Sequence, residues 1–155
     1  MTMRTLAAGA FLALAVATQA CAGELVGPGR FCGYSAIIDL APEEKVTTLA
    51  GGVHGGDFRW EGPFGSLDVY GTGWASRPKR RMVSPPSGAK PARFAEQRVD
   101  GRYEVAIWNG AHGAAYFRST SPLTPSQLAA IGRIVLFEEG ETPSGCNLRA
   151  GFSRD

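Results

Sequence analysis

Short segments in which apolar and polar residues alternate, separated by turns that contain glycine, constrain the fold of this chain most strongly. In the stretch DFRWE, Phe58 and Trp60 fall on one face and the charged residues on the other. SLDVY repeats this alternation after the turn GPFG, with Leu67 and Val69 facing inward. YSAIIDL and KVTTL have the apolar or β-branched composition of further strands. Glycine supplies 21 of 155 residues, about twice its average usage, which indicates many tight turns.

The second half of the chain contains two dipeptides that are typical of hairpin turns. Asp100-Gly101 joins RFAEQRV to RYEVAIW, and Asn109-Gly110 follows RYEVAIW and precedes AAYFRS. Both dipeptides favour the left-handed backbone that two-residue hairpin loops require. The sequence therefore predicts a group of three antiparallel strands.

A short helix is predicted after these strands, in the stretch LTPSQLAAIGR. Thr124 is suited to the N-cap, Pro125 to the first helical position, and Gln127 completes a capping box. Gly132 ends the helix after about two turns, and IVLFEE is a last predicted strand. The chain is thus predicted to be mainly β, a small antiparallel barrel or sandwich of about eight short strands with one short C-terminal helix.

Residues 1–22 have the features of a secretory signal peptide. Arg4 precedes an apolar run that is too short to span a membrane, and small residues suited to cleavage follow it. Cleavage after Ala22 would leave residues 23–155 as a single β-rich domain without a transmembrane span. We therefore expect an exported protein, periplasmic or secreted.

Cleavage at that point removes Cys21 and leaves Cys32 and Cys146. In an oxidising compartment two cysteines can form one disulfide, which is our prediction. Two unpaired thiols are one alternative. Another is a lipoprotein modified at Cys21, although Thr18 and Gln19 stand where such sites usually have leucine.

Residues 77–93 differ from the rest of the chain in composition. The segment holds six basic residues, four prolines and no acidic residue, whereas the rest of residues 23–155 holds nine basic and fourteen acidic residues. This composition predicts an exposed loop. Its basic cluster, Arg77, Lys79, Arg80 and Arg81, is a candidate contact for an acidic envelope component or an acidic partner protein. A solvated loop without a partner is the alternative, and the lack of aromatic residues argues against nucleic acid.

The two histidines, His54 and His112, lie in similar settings, GGVHGGDFR and NGAHGAAYFR. Two related hairpins that use histidine to fill a partly buried corner would explain the similarity. Alternatively, both imidazoles share a pocket and bind a metal or transfer protons. Such a site needs a further group, and Asp57 and Glu104 are candidates.

Aromatic residues in or beside the predicted strands offer a second type of contact. Trp108 and Tyr116 lie close to His112 in sequence, and Trp60, Tyr70 and Trp74 complete the set. The chain contains neither a G-x-S-x-G nucleophile motif nor HExxH nor a glycine-rich phosphate loop. We therefore predict a binding or inhibitor-like module with no cofactor, no bound metal and no catalytic residue. Its predicted binding site is the hairpin end that bears His54 and His112, with Trp108, Tyr116 and Asp57. The alternative is a small hydrolase or metal-dependent enzyme.

Overall fold

The computed structural model describes residues 23–83, 91–137 and 143–145. The predicted signal peptide, Cys146 and part of the basic segment therefore lie outside the described residues. Within them the chain forms ten strands and one helix: β1 Glu24–Val26, β2 Gly29–Gly33, β3 Ala36–Leu40, β4 Lys45–Gly51, β5 Gly55–Gly62, β6 Gly65–Thr72, β7 Ala92–Val99, β8 Arg102–Trp108, β9 Ala114–Ser119, α1 Pro125–Ile131 and β10 Val135–Leu136. No helix in this part of the chain is long and apolar enough to cross a membrane.

The strands form two antiparallel sheets. The larger has the order β1-β4-β5-β6-β9-β8-β7, and the smaller has the order β10-β3-β2. The predicted mainly β fold is confirmed, and of the two predicted architectures the sandwich fits. β1 and β2 raise the number of strands above the predicted eight.

Side chains from both sheets form the core. Phe31 and Ile38 of the smaller sheet are buried, as are Phe58, Trp60 and Phe117 of the larger one. The ring centroids of Phe31 and Phe58 are 4.8 Å apart. Burying each such side chain contributes about 1.5–3 kcal/mol, so the alternation seen in the sequence decides which face of each strand points inward.

The two sheets approach each other closely at Gly71 in β6. A Cβ atom added there would lie 2.4 Å from the carbonyl oxygen of Gly33 in β2. Real Cβ atoms do not come that near to a backbone oxygen, so this position requires glycine.

The predicted helix and the first predicted hairpin turn are confirmed. Thr124 caps α1, its side chain accepts from the Gln127 amide, and the Gln127 side chain completes the capping box. Asp100 and Gly101, with φ of 49° and 78°, connect β7 to β8. Both features depend on neighbouring residues only, which is why local sequence predicts them.

The second predicted two-residue turn is wrong. β8 ends at Trp108 and β9 begins at Ala114, so residues 109–113 form a longer loop. The buried Asn109 side chain organises this loop, because its Oδ1 accepts from the amides of Ala111 and Gly113 at 2.9 and 3.0 Å. The side chain that suggested a tight turn instead stabilises a wider one.

Candidate functional site

The two histidine-containing repeats lie on either side of β6. β5 and β9 are both antiparallel neighbours of that strand, and Tyr70 of β6 pairs with Asp57 on one side and Tyr116 on the other. Phe58 and Phe117, one from each repeat, are both buried. The similarity in sequence thus corresponds to two strands that flank the same central strand with their phenylalanines on the same face.

Both histidine rings lie beside Trp74, which follows β6. The ring centroids of His54 and Trp74 are 5.2 Å apart, and those of Trp74 and His112 are 5.8 Å apart with planes only 15° from parallel. The Trp74 side chain is 64% exposed, and both histidines are exposed. We call these three residues the His-Trp-His cluster.

Backbone hydrogen bonds hold this cluster together. The carbonyl of His54 accepts from the amide of Gly73 at 3.1 Å, and the carbonyl of His112 accepts from the amide of Ala75 at 2.7 Å. The chain on both sides of Trp74 is therefore attached to one of the two histidine loops. This explains why the two repeats begin close to the same tryptophan.

The expectation of a partly buried corner is wrong, because both histidines precede their strands and are exposed. No group of three or more His, Cys, Asp or Glu side chains within the described residues could hold a metal ion. Asp57 is adjacent to Tyr70 in the sheet, and Glu104 is engaged with arginines. The metal-dependent alternative requires both histidines and a carboxylate around one point, and the described residues contain no such group.

Trp74 also borders an open cleft of about 510 Å³ on the outer face of the larger sheet. Tyr70 and Tyr116 line it from the sheet, and Arg77 lines it from the segment after β6. Arg80, Arg118 and Glu104 also line this cleft. We call it the outer cleft; its lining has three arginines and a single glutamate, so it carries positive charge.

Glu104 binds two of these arginines. Its carboxylate accepts from the guanidinium group of Arg80, and from Nε of Arg118 at 2.7 Å. The side chains of Glu104 and Arg80 are 4% and 9% exposed, whereas that of Arg118 is 34% exposed. Arg80 Nη1 also donates to the carbonyl of Glu104 at 3.0 Å. The ion pairs fasten the segment that contains Arg80 to the sheet.

Tyr116 lies between these ion pairs and the His-Trp-His cluster. Burial, followed by the negative charge of Glu104, raises the pKa of the Tyr116 phenol above its usual range. A tyrosine hydroxyl is protonated at neutral pH in any case, and the raised pKa extends this to more alkaline pH. The Tyr116 hydroxyl can donate a hydrogen bond to an acceptor in the outer cleft.

The composition of the basic segment predicts an exposed loop. In the structure, the exposure of its described residues varies from one residue to the next. Arg77, Lys79 and Arg81 are exposed, but Pro78 is buried and Arg80 forms the ion pair just described. Residues 81–83 also run beside β7, where the Val83 amide donates to the Arg93 carbonyl at 2.6 Å. The burial of the Arg80 side chain has a physical cause, because the Glu104 carboxylate on a neighbouring strand compensates its charge.

Trp108 differs in position from the cluster. It is half-buried, its Nε1 donates to the carbonyl of Ala111 at 3.0 Å, and its ring lies 6.5 Å from that of Phe94. It packs within the protein and does not line the outer cleft. Trp74 is one of the aromatic residues that the sequence offers as contacts, and its exposed position after a strand agrees with that prediction. No pattern in the sequence marks Arg118 as a residue of the cleft.

The fold and this site together define a class: a two-sheet antiparallel β protein with a positively charged, aromatic-lined outer face. Comparison of the chain with protein families, curated proteins and solved structures found no match.

Proposed function

We propose that this protein is an exported binding module that holds an acidic ligand in the outer cleft. The observation that carries the proposal is the combination of three arginines and one glutamate with Trp74, Tyr70 and Tyr116 in one open cleft. Arginine binds carboxylate and related anions through paired hydrogen bonds, and exposed aromatic rings supply apolar contact area.

Arg77 is the arginine best placed to contact such a ligand. Arg80 and Arg118 already bind Glu104. Arg77 is exposed, and within the described residues it has no ion-pair partner. Lys79 and Arg81 are exposed beside it and raise the local positive potential. An acidic component of the cell envelope or an acidic partner protein fits this surface.

The proposal of export rests on the sequence of residues 1–22, and a disulfide between Cys32 and Cys146 is the pairing that we propose for an oxidising compartment. One contact supports that pairing: Arg30 Nη1 donates to the carbonyl of Ser144 at 3.1 Å. Each of these residues is two positions from one of the two cysteines. The contact therefore brings the chain near Cys146 to the strand that carries Cys32, as a disulfide requires.

Dextran sulfate and unmodified dextran provide a direct test, because the two polymers differ in charge and share a backbone. We expect the immobilised protein to retain dextran sulfate and not dextran, with weaker retention as salt rises from about 0.05 to 0.3 M and shortens the screening length. Equal retention of both polymers would contradict the proposal.

Arg77→Ala and Arg98→Ala form a matched pair for this test, since each removes one positive charge. Arg98 lies over the ring of Tyr103 and does not line the outer cleft. We expect Arg77→Ala to weaken retention of dextran sulfate and Arg98→Ala to leave it nearly unchanged. Equal effects would mean that the polymer responds to net charge and not to this cleft.

A further inference from the structure

We infer that the acidic ligand is a polyuronate, a polysaccharide whose pyranose rings carry carboxylates. The inference rests on the proposed function, because it names the chemical class of ligand for the same cleft. It depends on three features: the shape of the outer cleft, the Trp74 ring and the position of Arg77.

The outer cleft is open along the sheet and does not enclose a ligand. Small-molecule sites typically bury about 70–90% of their ligand, whereas this cleft is open to solvent and Trp74 beside it is 64% exposed. An open cleft of about 510 Å³ can hold part of an extended chain whose remaining units stay in solvent.

Trp74 provides a flat apolar surface in the lining of that cleft. Its backbone amide donates to Oγ1 of Thr72 at 3.0 Å, and the ring of His112 lies nearly parallel to its own. The face of an indole carries negative charge density and favours the weakly positive C–H groups of a partner. A pyranose ring presents such C–H groups on its faces and keeps its hydroxyl groups at the rim.

Arg77 lies three residues beyond Trp74 on the same segment, so the two side chains originate within about 10 Å of each other. A sugar ring stacked on Trp74 would thus place a carboxylate of the same or a neighbouring ring near Arg77. The planar guanidinium group suits the planar carboxylate of a uronate. An acidic polypeptide offers the carboxylates but not the ring faces, and for that reason we favour the polysaccharide.

The need for a ring face and the need for a carboxylate can be tested separately with three polymers: polygalacturonate, poly-L-glutamate and dextran. The first has rings and carboxylates, the second only carboxylates and the third only rings. We expect the protein to bind polygalacturonate at least about tenfold more tightly than either of the others. Equal binding of polygalacturonate and poly-L-glutamate would overturn the inference and leave the proposed function standing. Failure to bind any polyanion, dextran sulfate included, would remove both.

Variants of Trp74 test the stacking directly. Trp74→Ala should weaken polygalacturonate binding about tenfold, Trp74→Phe should restore part of the loss, and neither should alter binding of poly-L-glutamate, which has no ring faces, by more than about twofold. Val135→Ala is the control, because Val135 is 55% exposed and lies in the smaller sheet. Equal losses in Trp74→Ala and Val135→Ala would overturn the inference.

A spectroscopic measurement complements the affinities. Trp60 is fully buried and Trp108 is half-buried, so quenching of fluorescence by neutral acrylamide reports mainly on Trp74. Polygalacturonate should reduce this quenching in the unmodified protein and have little effect in Trp74→Phe. Unchanged quenching at saturating polygalacturonate would show that the sugar does not cover Trp74 and would overturn the inference.

Discussion

Replacing Arg80 by alanine should destabilise the folded protein by about 3 kcal/mol. Arg80 and Glu104 form an ion pair whose side chains are only 9% and 4% exposed. Removing one partner of a buried pair costs about 3–5 kcal/mol, because the other charge remains buried without compensation. We expect the lower end of this energy range, because Nε of Arg118 still donates to the Glu104 carboxylate at 2.7 Å after Arg80 is removed.

The assay is urea unfolding followed by tryptophan fluorescence, with Lys79→Ala as the matched control. Lys79 belongs to the same segment but is exposed, so its removal should change the free energy of unfolding by no more than about 0.5 kcal/mol. A loss of about 3 kcal/mol corresponds to a melting temperature lower by about 10 °C.

Equal stability of Arg80→Ala and Lys79→Ala would refute the argument that Arg80 fastens the basic segment to the sheet. Limited trypsin digestion gives an independent reading of the same question. We expect the first cuts between Arg77 and Arg93, and faster cutting in Arg80→Ala, because its segment is no longer held. Identical cleavage rates in the variant and the unmodified protein would also contradict the argument.

Three further predictions concern the stability of the fold. Partial burial alone would raise the pKa of Asp68, but the two arginines that bond to its carboxylate outweigh burial and lower that pKa. The ionised Asp68 therefore stabilises the folded protein above the pKa of an unfolded aspartate, about 3.9. This stabilisation is lost as the pH falls through the lower pKa of the folded state. Asp68→Asn should accordingly lose less stability than the unmodified protein between about pH 5 and 2 in thermal melts, and an unchanged profile would be inconsistent with this. Gly71→Ala should lower the free energy of unfolding by about 1–3 kcal/mol through overpacking, as measured by urea unfolding. Gly52→Ala is the control, because its Cβ would lie 3.6 Å from the nearest atom. Equal stability of the two variants would argue against a close approach of the sheets. If the predicted disulfide forms, the intact mass should lie two hydrogens below the reduced mass and reductant should cost about 2–5 kcal/mol; two free thiols in the exported protein would disprove it.

The elements that local sequence predicts are those whose signals come from adjacent residues. The alternation that places Phe58 and Trp60 on one face is visible directly in the sequence, and both side chains are buried. The capping box of α1 depends on Thr124 and Gln127 alone. β2 lacks a comparable signal, because a glycine stands at each of its ends and its pairing with β3 depends on tertiary context.

The candidate site depends on contacts between distant parts of the chain. The similarity between the two histidine repeats is visible in the sequence, but their common neighbour β6 follows only from strand order. The composition of the basic segment predicts exposure throughout, whereas the buried Arg80 depends on Glu104, a residue on β8. Trp74 lies in no strand, and its importance comes from the two loops that meet beside it. Such relations require the sheet register, which local patterns do not determine.

The most direct test of the central claim is to map the amides and indole groups that respond to a polyanion, by recording ¹H–¹⁵N correlation spectra of the labelled protein during titration with oligogalacturonate. We predict that the largest changes occur at the Trp74 indole and at Arg77, Tyr116 and Arg118, all of which line the outer cleft. Residues of the smaller sheet, such as Ile37, should change little. Changes concentrated in the smaller sheet, or spread evenly over all exposed basic residues, would contradict a binding site in the outer cleft.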